Sequence, residues 1–195
     1  NILKVFMSLK KYIREYQAIP NPIIISKFIK YLNKTFNENS FVRGNLWNGD
    51  KSYDDKTVRD VDTLALNCRS KSLSNVHWCN FLSHLIIKQM KNYIKEFPDV
   101  NKATIFDIQA LRYGLGGHYK FHVDDGPGMA RKYSSILMLN NDYEGGELSF
   151  KLDGEIETIK PAPGKLIIWP SNFMYPHAVK PLRKGVRYSV VAWMN

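Results

Sequence analysis

Residues 111–125 read LRYGLGGHYKFHVDD. Gly114, Gly116 and Gly117 argue against a helix here. The pattern that follows predicts a strand over 119–124. Side chains alternate across a strand, so His122 and Asp124 fall on one face, about 7 Å apart along the backbone. That separation suits two ligands of one ion. His118 and His122 would share a face only on a helix; on a strand they stand about 13 Å apart. His118 is therefore expected to be a bystander. Asp125 has the opposite parity and is expected to serve the turn.

A third donor, His177, lies downstream in YPHAVKP. Two imidazoles and one carboxylate make a donor set that suits Fe(II) and leaves positions open. Between His177 and Arg187 runs AVKPLRKGV. The spacing predicts a hairpin centred near Leu182, with Arg183 and Lys184 solvated at its tip. Such a hairpin would set Arg187 opposite His177 on one sheet face. A planar guanidinium suits a carboxylate partner. A dicarboxylate such as 2-oxoglutarate would then reach the metal with one end and Arg187 with the other.

Working outward, the second half reads as strands over 103–111, 133–139, 146–151, 155–160, 165–169, 177–179 and 187–194. Turn signals such as DDGPG, NNDYEGG and PAPG separate them. Gly145-Gly146 reads as a tight turn rather than a phosphate cradle. Before residue 100 the signals are helical. Pro22 opens a stripe of Ile24, Ile25, Phe28, Ile29, Leu32 and Phe36, which predicts a helix over 22–36. Trp78, Phe81, Leu82, Leu85, Ile86, Met90, Tyr93 and Ile94 predict a second over 75–97, with Pro98 past its end. Its aromatics read as core, and His77 and His84 as partly exposed or satisfied within it. KKYIREYQAI fits strand or helix. Residues 37–60 are polar and rich in Asn, Asp and Gly, which predicts a long surface loop. Helices followed by many short strands indicate α+β, a sandwich or barrel buttressed by the helices.

The chain has 195 residues, 44% hydrophobic and 13% aromatic. That is enough for one domain with a substantial core. The formal net charge of +10 is compatible with an anionic partner and with a solvated lysine-rich surface. Cys68 and Cys79 match no zinc spacing and make no disulfide framework, which fits free thiols in a reducing, cytoplasmic compartment. No stretch approaches the roughly 20 apolar residues of a membrane span. Residues 1–7 are too short, and too interrupted by Lys4, for a secretory signal. Oligomeric state is left open.

Three stretches carry a family resemblance. LRYGLGGHYKFHVDD is similar to L-R-Y-x-x-G-x-x-Y-x-x-H-x-D. SSILMLNNDYEGGELSF, residues 134–150, follows a strand, L-N and an acidic turn ending G-G-E. PAPGKLIIWPSNFMYPHAVKPLRKGVRYSVVAW, residues 161–193, ends on the histidine, the arginine and a tryptophan. In this order they resemble the prolyl 4-hydroxylase-like branch of the Fe(II)/2-oxoglutarate-dependent dioxygenases, over roughly residues 100–195.

The resemblance implies a double-stranded β-helix (jelly-roll) core with supporting N-terminal helices. It implies one domain over 1–195, with 1–100 as helical support and substrate groove and 101–195 as catalytic core. It assigns Fe(II) to His122, Asp124 and His177, and the distal carboxylate of 2-oxoglutarate to Arg187. Tyr113 matches a tyrosine that contacts the cosubstrate, Tyr119 a second pocket aromatic, and Trp193 an aromatic near the triad. Fe(II), 2-oxoglutarate and O₂ are the implied cofactor and cosubstrates, with ascorbate as a candidate addition. Met138 stands where some relatives have a cosubstrate-binding tyrosine, which shifts that role toward Tyr113.

The expected reaction is hydroxylation of a peptidyl proline, on a protein or peptide, with residues 37–60 as a lid. The alternatives are a free amino acid or other small molecule, oxidative nucleic-acid demethylation, and a non-catalytic binding module. Demethylases typically carry a second arginine six residues after the first, where this chain has Trp193, so nucleic acid is disfavoured.

Overall fold

The computed structural model describes residues 8–47, 49–100, 102–128 and 130–195. Residues 1–7, read above as unlike a secretory signal, lie outside them. A 3₁₀ turn (Leu9–Tyr12) leads into β1 (Arg14–Gln17), so KKYIREYQAI resolves into a turn and a strand. The Asn21 side chain accepts the Ile23 amide and Pro22 fills the first turn, which starts α1 (Pro22–Asn37). Then come β2 (Val42–Arg43), β3 (Leu46–Trp47), β4 (Ser52–Tyr53), β5 (Arg59–Asp60) and β6 (Asp62–Ala65). Ser72 accepts the Asn75 amide and opens α2 (Leu73–Glu96).

The second half gives β7 (Ile105–Tyr113), β8 (His118–His122), β9 (Tyr133–Met138), β10 (Glu144–Gly145) and β11 (Leu148–Leu152). It continues through β12 (Glu155–Ile159), β13 (Lys165–Pro170), β14 (His177–Val179), β15 (Leu182–Lys184) and β16 (Arg187–Met194).

A seven-stranded sheet runs β1-β13-β9-β16-β7-β6-β2, and a five-stranded sheet runs β12-β11-β14-β8-β5. The pairings within both are antiparallel. The larger sheet turns Leu111, Ile136, Ile167 and Val191 toward Leu148, Phe150, Leu152 and Val179 of the smaller one, and this core closes the jelly roll. Its other face, with Ile108, Ala110, Leu137, Ile168 and Val190, packs under Phe28 and Leu32 of α1 and Leu82, Ile86 and Met90 of α2. β16 is thus covered on both faces, and all eight of its residues are buried. Among the described residues, no helix is long and apolar enough to cross a membrane.

Three expectations need correction. The first half is not only helical support, because β1, β2 and β6 extend the large sheet and β5 extends the small one. Residues 37–60 are likewise no plain loop: they hold β2, β5 and the β3–β4 pair. The hairpin expected between His177 and Arg187 does not form. β14 lies in the small sheet and β16 in the large one, so the chain crosses between sheets here. β15, expected to be the hairpin tip, pairs with β10, and exposed Lys184 meets Glu144 at 3.2 Å.

The crossing is held closely. Leu182 exchanges backbone bonds with Gly116 and Gly117, at 2.8 and 3.0 Å. Gly145 takes φ +77, and a Cβ there would sit 2.3 Å from the Pro181 carbonyl oxygen. The glycine turn therefore serves close packing.

Candidate active site

His122 ends β8, where it lies opposite His177 of β14 in the small sheet. The strand stops there, so Asp124 sits in the turn beyond it rather than on the strand face expected for it. The three side chains still converge. Their ligand atoms lie within 4.8 Å of one another. His122 Nδ1 lies 2.8 Å from the Lys120 carbonyl and His177 Nδ1 lies 3.1 Å from the Tyr175 carbonyl. A carbonyl can only accept, so both Nδ1 atoms carry the proton. Both Nε2 atoms turn toward Asp124, at 3.7 Å from Oδ1 for His122 and 3.4 Å from Oδ2 for His177.

Burial, reinforced by His177, pushes the His122 imidazole down to about 3. Burial opposes ionisation of Asp124, but His177, His122 and the Ser134 hydroxyl together hold its carboxyl well below the usual carboxylate range. The result is a carboxylate and imidazole Nε2 atoms aimed at one point. Two nitrogens and one oxygen of this kind fit a divalent iron, with the Nδ1 bonds fixing the rings. Trp169 and Phe150 wall His177, with ring centres 4.9 and 5.8 Å away.

Arg187 opens β16 on the inner face of the large sheet. It is 1% exposed. Nη1 donates to Ser189 Oγ at 2.9 Å, and the guanidinium lies 5.0 Å from the Tyr113 ring centre. Nη2 has no hydrogen-bond partner, and no acid pairs with Arg187 among the described residues. A buried cation without an anion is costly, and this guanidinium has a free N–H group of the kind that suits a carboxylate.

Residues 108–195 match the 2OG-Fe(II) oxygenase superfamily. The chain carries a 2OG-Fe(II) oxygenase domain. A PKHD-type hydroxylase of Synechococcus is 35% identical over 106 residues, 52% of this chain and 46% of the relative. Human prolyl 3-hydroxylase 2 is 42% identical over 68 residues, 33% of this chain and 10% of the relative. The chain thus spans about half, or much less, of these relatives' length. Among solved structures, a Pseudomonas putida prolyl-4-hydroxylase aligns with TM-score 0.71 at 18% identity, over 94% of this chain and 92% of that one. A Trichoplax adhaerens prolyl hydroxylase, solved with a peptide fragment of a hypoxia-inducible factor degradation domain, gives 0.76 at 16%, over 94% and 83%. These two share the double-stranded β-helix fold. The oxygenase family brings Fe(II), 2-oxoglutarate and O₂ as cofactor and cosubstrates.

The other expected residues of the oxygenase site take distinct places. Tyr113 is buried on β7, directly opposite Arg187, and burial raises its hydroxyl above the ordinary tyrosine value, so it stays a donor. Tyr119 stacks on the His122 ring at 3.5 Å and 16°. Trp193 lies under the Arg131 guanidinium at 3.9 Å. Met138 belongs to the core between the sheets. His118 stays outside the cluster, bonded to the Gly116 carbonyl at 2.9 Å and near that of Thr57 at 3.3 Å. Asp125 is exposed and its amide donates to Ser171. His77 and His84 lie exposed on α2.

Beside the triad opens a cavity of about 700 Å³, lined by His122, Asp124, Tyr119 and Trp193 and also by Leu46, Trp47 and Tyr53. Asp107, Gln109, Arg59 and Arg131 also line it, and none of them stood out in the sequence. Arg131 lies just past the DDGPG turn signal, where no local pattern marks it. Asp107 and Gln109 show an every-second-residue polar pattern on β7, which was a usable signal.

Proposed function

We propose that this oxygenase hydroxylates a peptidyl proline, with decarboxylation of 2-oxoglutarate to succinate. The observation that carries the reading is the convergence of His122, Asp124 and His177 inside a jelly roll that also buries Arg187 with no acidic partner among the described residues. In this reading the triad holds Fe(II), Arg187 takes the distal carboxylate of 2-oxoglutarate, and the Tyr113 hydroxyl supports it. Bound there, the metal centre supplies the oxidising power that couples loss of CO₂ from 2-oxoglutarate to insertion of one oxygen atom of O₂ into a substrate C–H bond.

The protein's own contribution is placement and exclusion of water. Carbonyl-anchored Nδ1 atoms fix both imidazoles. Tyr119 covers the outer face of His122, and Trp169 and Phe150 keep His177 dry. Trp193 and Arg131 form one wall of the cavity where the substrate carbon would enter. Within the 37–60 segment expected to be a lid, Leu46, Trp47 and Tyr53 line the cavity and would contact a bound peptide.

The prolyl substrate is supported by the name of one relative, prolyl 3-hydroxylase 2, and by those of the two solved structures, a prolyl-4-hydroxylase and a prolyl hydroxylase. One of those structures holds a peptide. We read 1–195 as one unit, because both sheets and both cores take residues from each half. The two free thiols, Cys68 and Cys79, fit a reducing, cytoplasmic setting. The test is Fe(II)-dependent succinate formation with proline-containing peptides, free amino acids and methylated oligonucleotides side by side. Stimulation by the peptides alone supports the reading; stimulation only by another class overturns it.

A further inference from the structure

Asp124 lies beyond the end of β8, so the strand does not orient its side chain. Its Oδ2 accepts a hydrogen bond from Ser134 Oγ at 2.6 Å, the length of a charge-assisted bond from a hydroxyl to a carboxylate. Ser134 Oγ also lies 2.7 Å from Ser171 Oγ. A hydroxyl carries one proton. Ser134 gives its proton to the carboxylate, so Ser171 must donate to Ser134. Ser134 is 0% exposed, Ser171 1% and Asp124 7%.

The two serines stand on rigid ground. Ser134 lies within β9, flanked by Trp169 of β13 and Trp193 of β16. Ser171 follows β13 directly. Its amide donates to the Lys132 carbonyl at 2.9 Å, and its carbonyl accepts the Asp125 amide at 3.1 Å. The large sheet thus reaches across to a residue carried by the turn after the small sheet's β8.

We propose that Ser134 and Ser171 form a positioning relay for the iron-binding carboxylate. Ser134 holds Oδ2 and so fixes how the carboxylate is turned toward the two imidazoles, and Ser171 fixes the direction of the Ser134 hydroxyl. The relay rests on the iron-site reading and goes beyond it, because the triad alone does not specify how its carboxylate is turned. Neither serine lines the cavity beside the triad.

Co(II), titrated into the metal-free protein, reports affinity and ligand geometry together through its visible absorption, without any turnover. Ser134→Ala should weaken Co(II) binding by about 10- to 100-fold, the usual cost of losing an outer partner of a metal ligand, and should shift the visible bands. Ser171→Ala should give a smaller loss, and Ser134→Thr, which keeps the hydroxyl, should retain most of the affinity. Thermal unfolding of each metal-free variant checks that the fold is intact. If Ser134→Ala binds Co(II) with parental affinity and spectrum, the relay is wrong while the iron site stands. If Ser134→Thr loses as much as Ser134→Ala, the hydroxyl is not the cause and the relay is again wrong. If the parent binds no Co(II), or His122→Ala binds it equally well, the iron-site reading fails and the relay with it.

Discussion

Arg187 stands directly opposite Tyr113 on paired strands, and its guanidinium lies 5.0 Å from the Tyr113 ring centre. A cation and a hydroxyl thus share the interior of the jelly roll, and among the described residues no acid pairs with the cation. Arg187→Met should raise the apparent KM for 2-oxoglutarate by about 10- to 100-fold, the range for a lost charge-assisted bond. The same change should leave the ligand-free fold as stable as the parent, or about 1 kcal/mol more stable, because it removes a buried unpaired charge. A cosubstrate titration and thermal melts check the two halves. Unchanged KM would remove Arg187 from the anchor role.

Tyr113 and Tyr119 should separate by chemistry. Tyr113 offers a hydroxyl, so Tyr113→Phe should raise the KM for 2-oxoglutarate about fivefold, roughly one neutral hydrogen bond. Tyr119 offers a ring stacked on His122. Tyr119→Phe should cost less than Tyr113→Phe, whereas Tyr119→Ala should weaken metal binding. Steady-state KM values and Co(II) titration distinguish them, and the reverse ranking would exchange the two roles.

The glycine turn at the sheet crossing makes a stability prediction. Gly145→Ala should cost at least about 2 kcal/mol, because positive φ is strained for alanine and the Cβ meets the Pro181 carbonyl. Gly116 has φ +76 with nothing within 4 Å of a built Cβ. Gly116→Ala should therefore cost only about 1 kcal/mol, from the backbone alone. Equal losses in urea unfolding would show that the close approach does not matter.

Metal should stabilise the folded chain. A ligand that binds only the native state at 100 times its Kd adds about 2.7 kcal/mol. Co(II) should therefore raise the melting temperature of the parent, EDTA should reverse the rise, and Asp124→Ala should show neither effect. A rise of equal size in Asp124→Ala would place the ion elsewhere.

The donors were legible because the signals are local. His122 and Asp124 sit two residues apart, and the bounds expected for the strands that carry His177 and Arg187, 177–179 and 187–194, agree with β14 and β16. The step between them was not legible. A Pro/Lys/Gly segment of that length can close a hairpin or cross between sheets, and the choice rests on β10 and Gly116–Gly117, which meet β15 only in the folded chain. β2, β5 and β6 are strands through their partners rather than through their own patterns. Ser134 falls inside the expected strand 133–139 with nothing local to set it apart, and only its closeness to Asp124 gives it a task.

The central claim is that His122, Asp124, His177 and Arg187 together bind iron and 2-oxoglutarate for oxidation of a peptidyl substrate. Succinate formation from 2-oxoglutarate, measured with a proline-containing peptide for the parent and for His177→Ala, tests it most directly. Turnover should need added Fe(II), rise with the peptide and disappear in His177→Ala. Turnover in the parent that persists without Fe(II), or survives in His177→Ala, would contradict it.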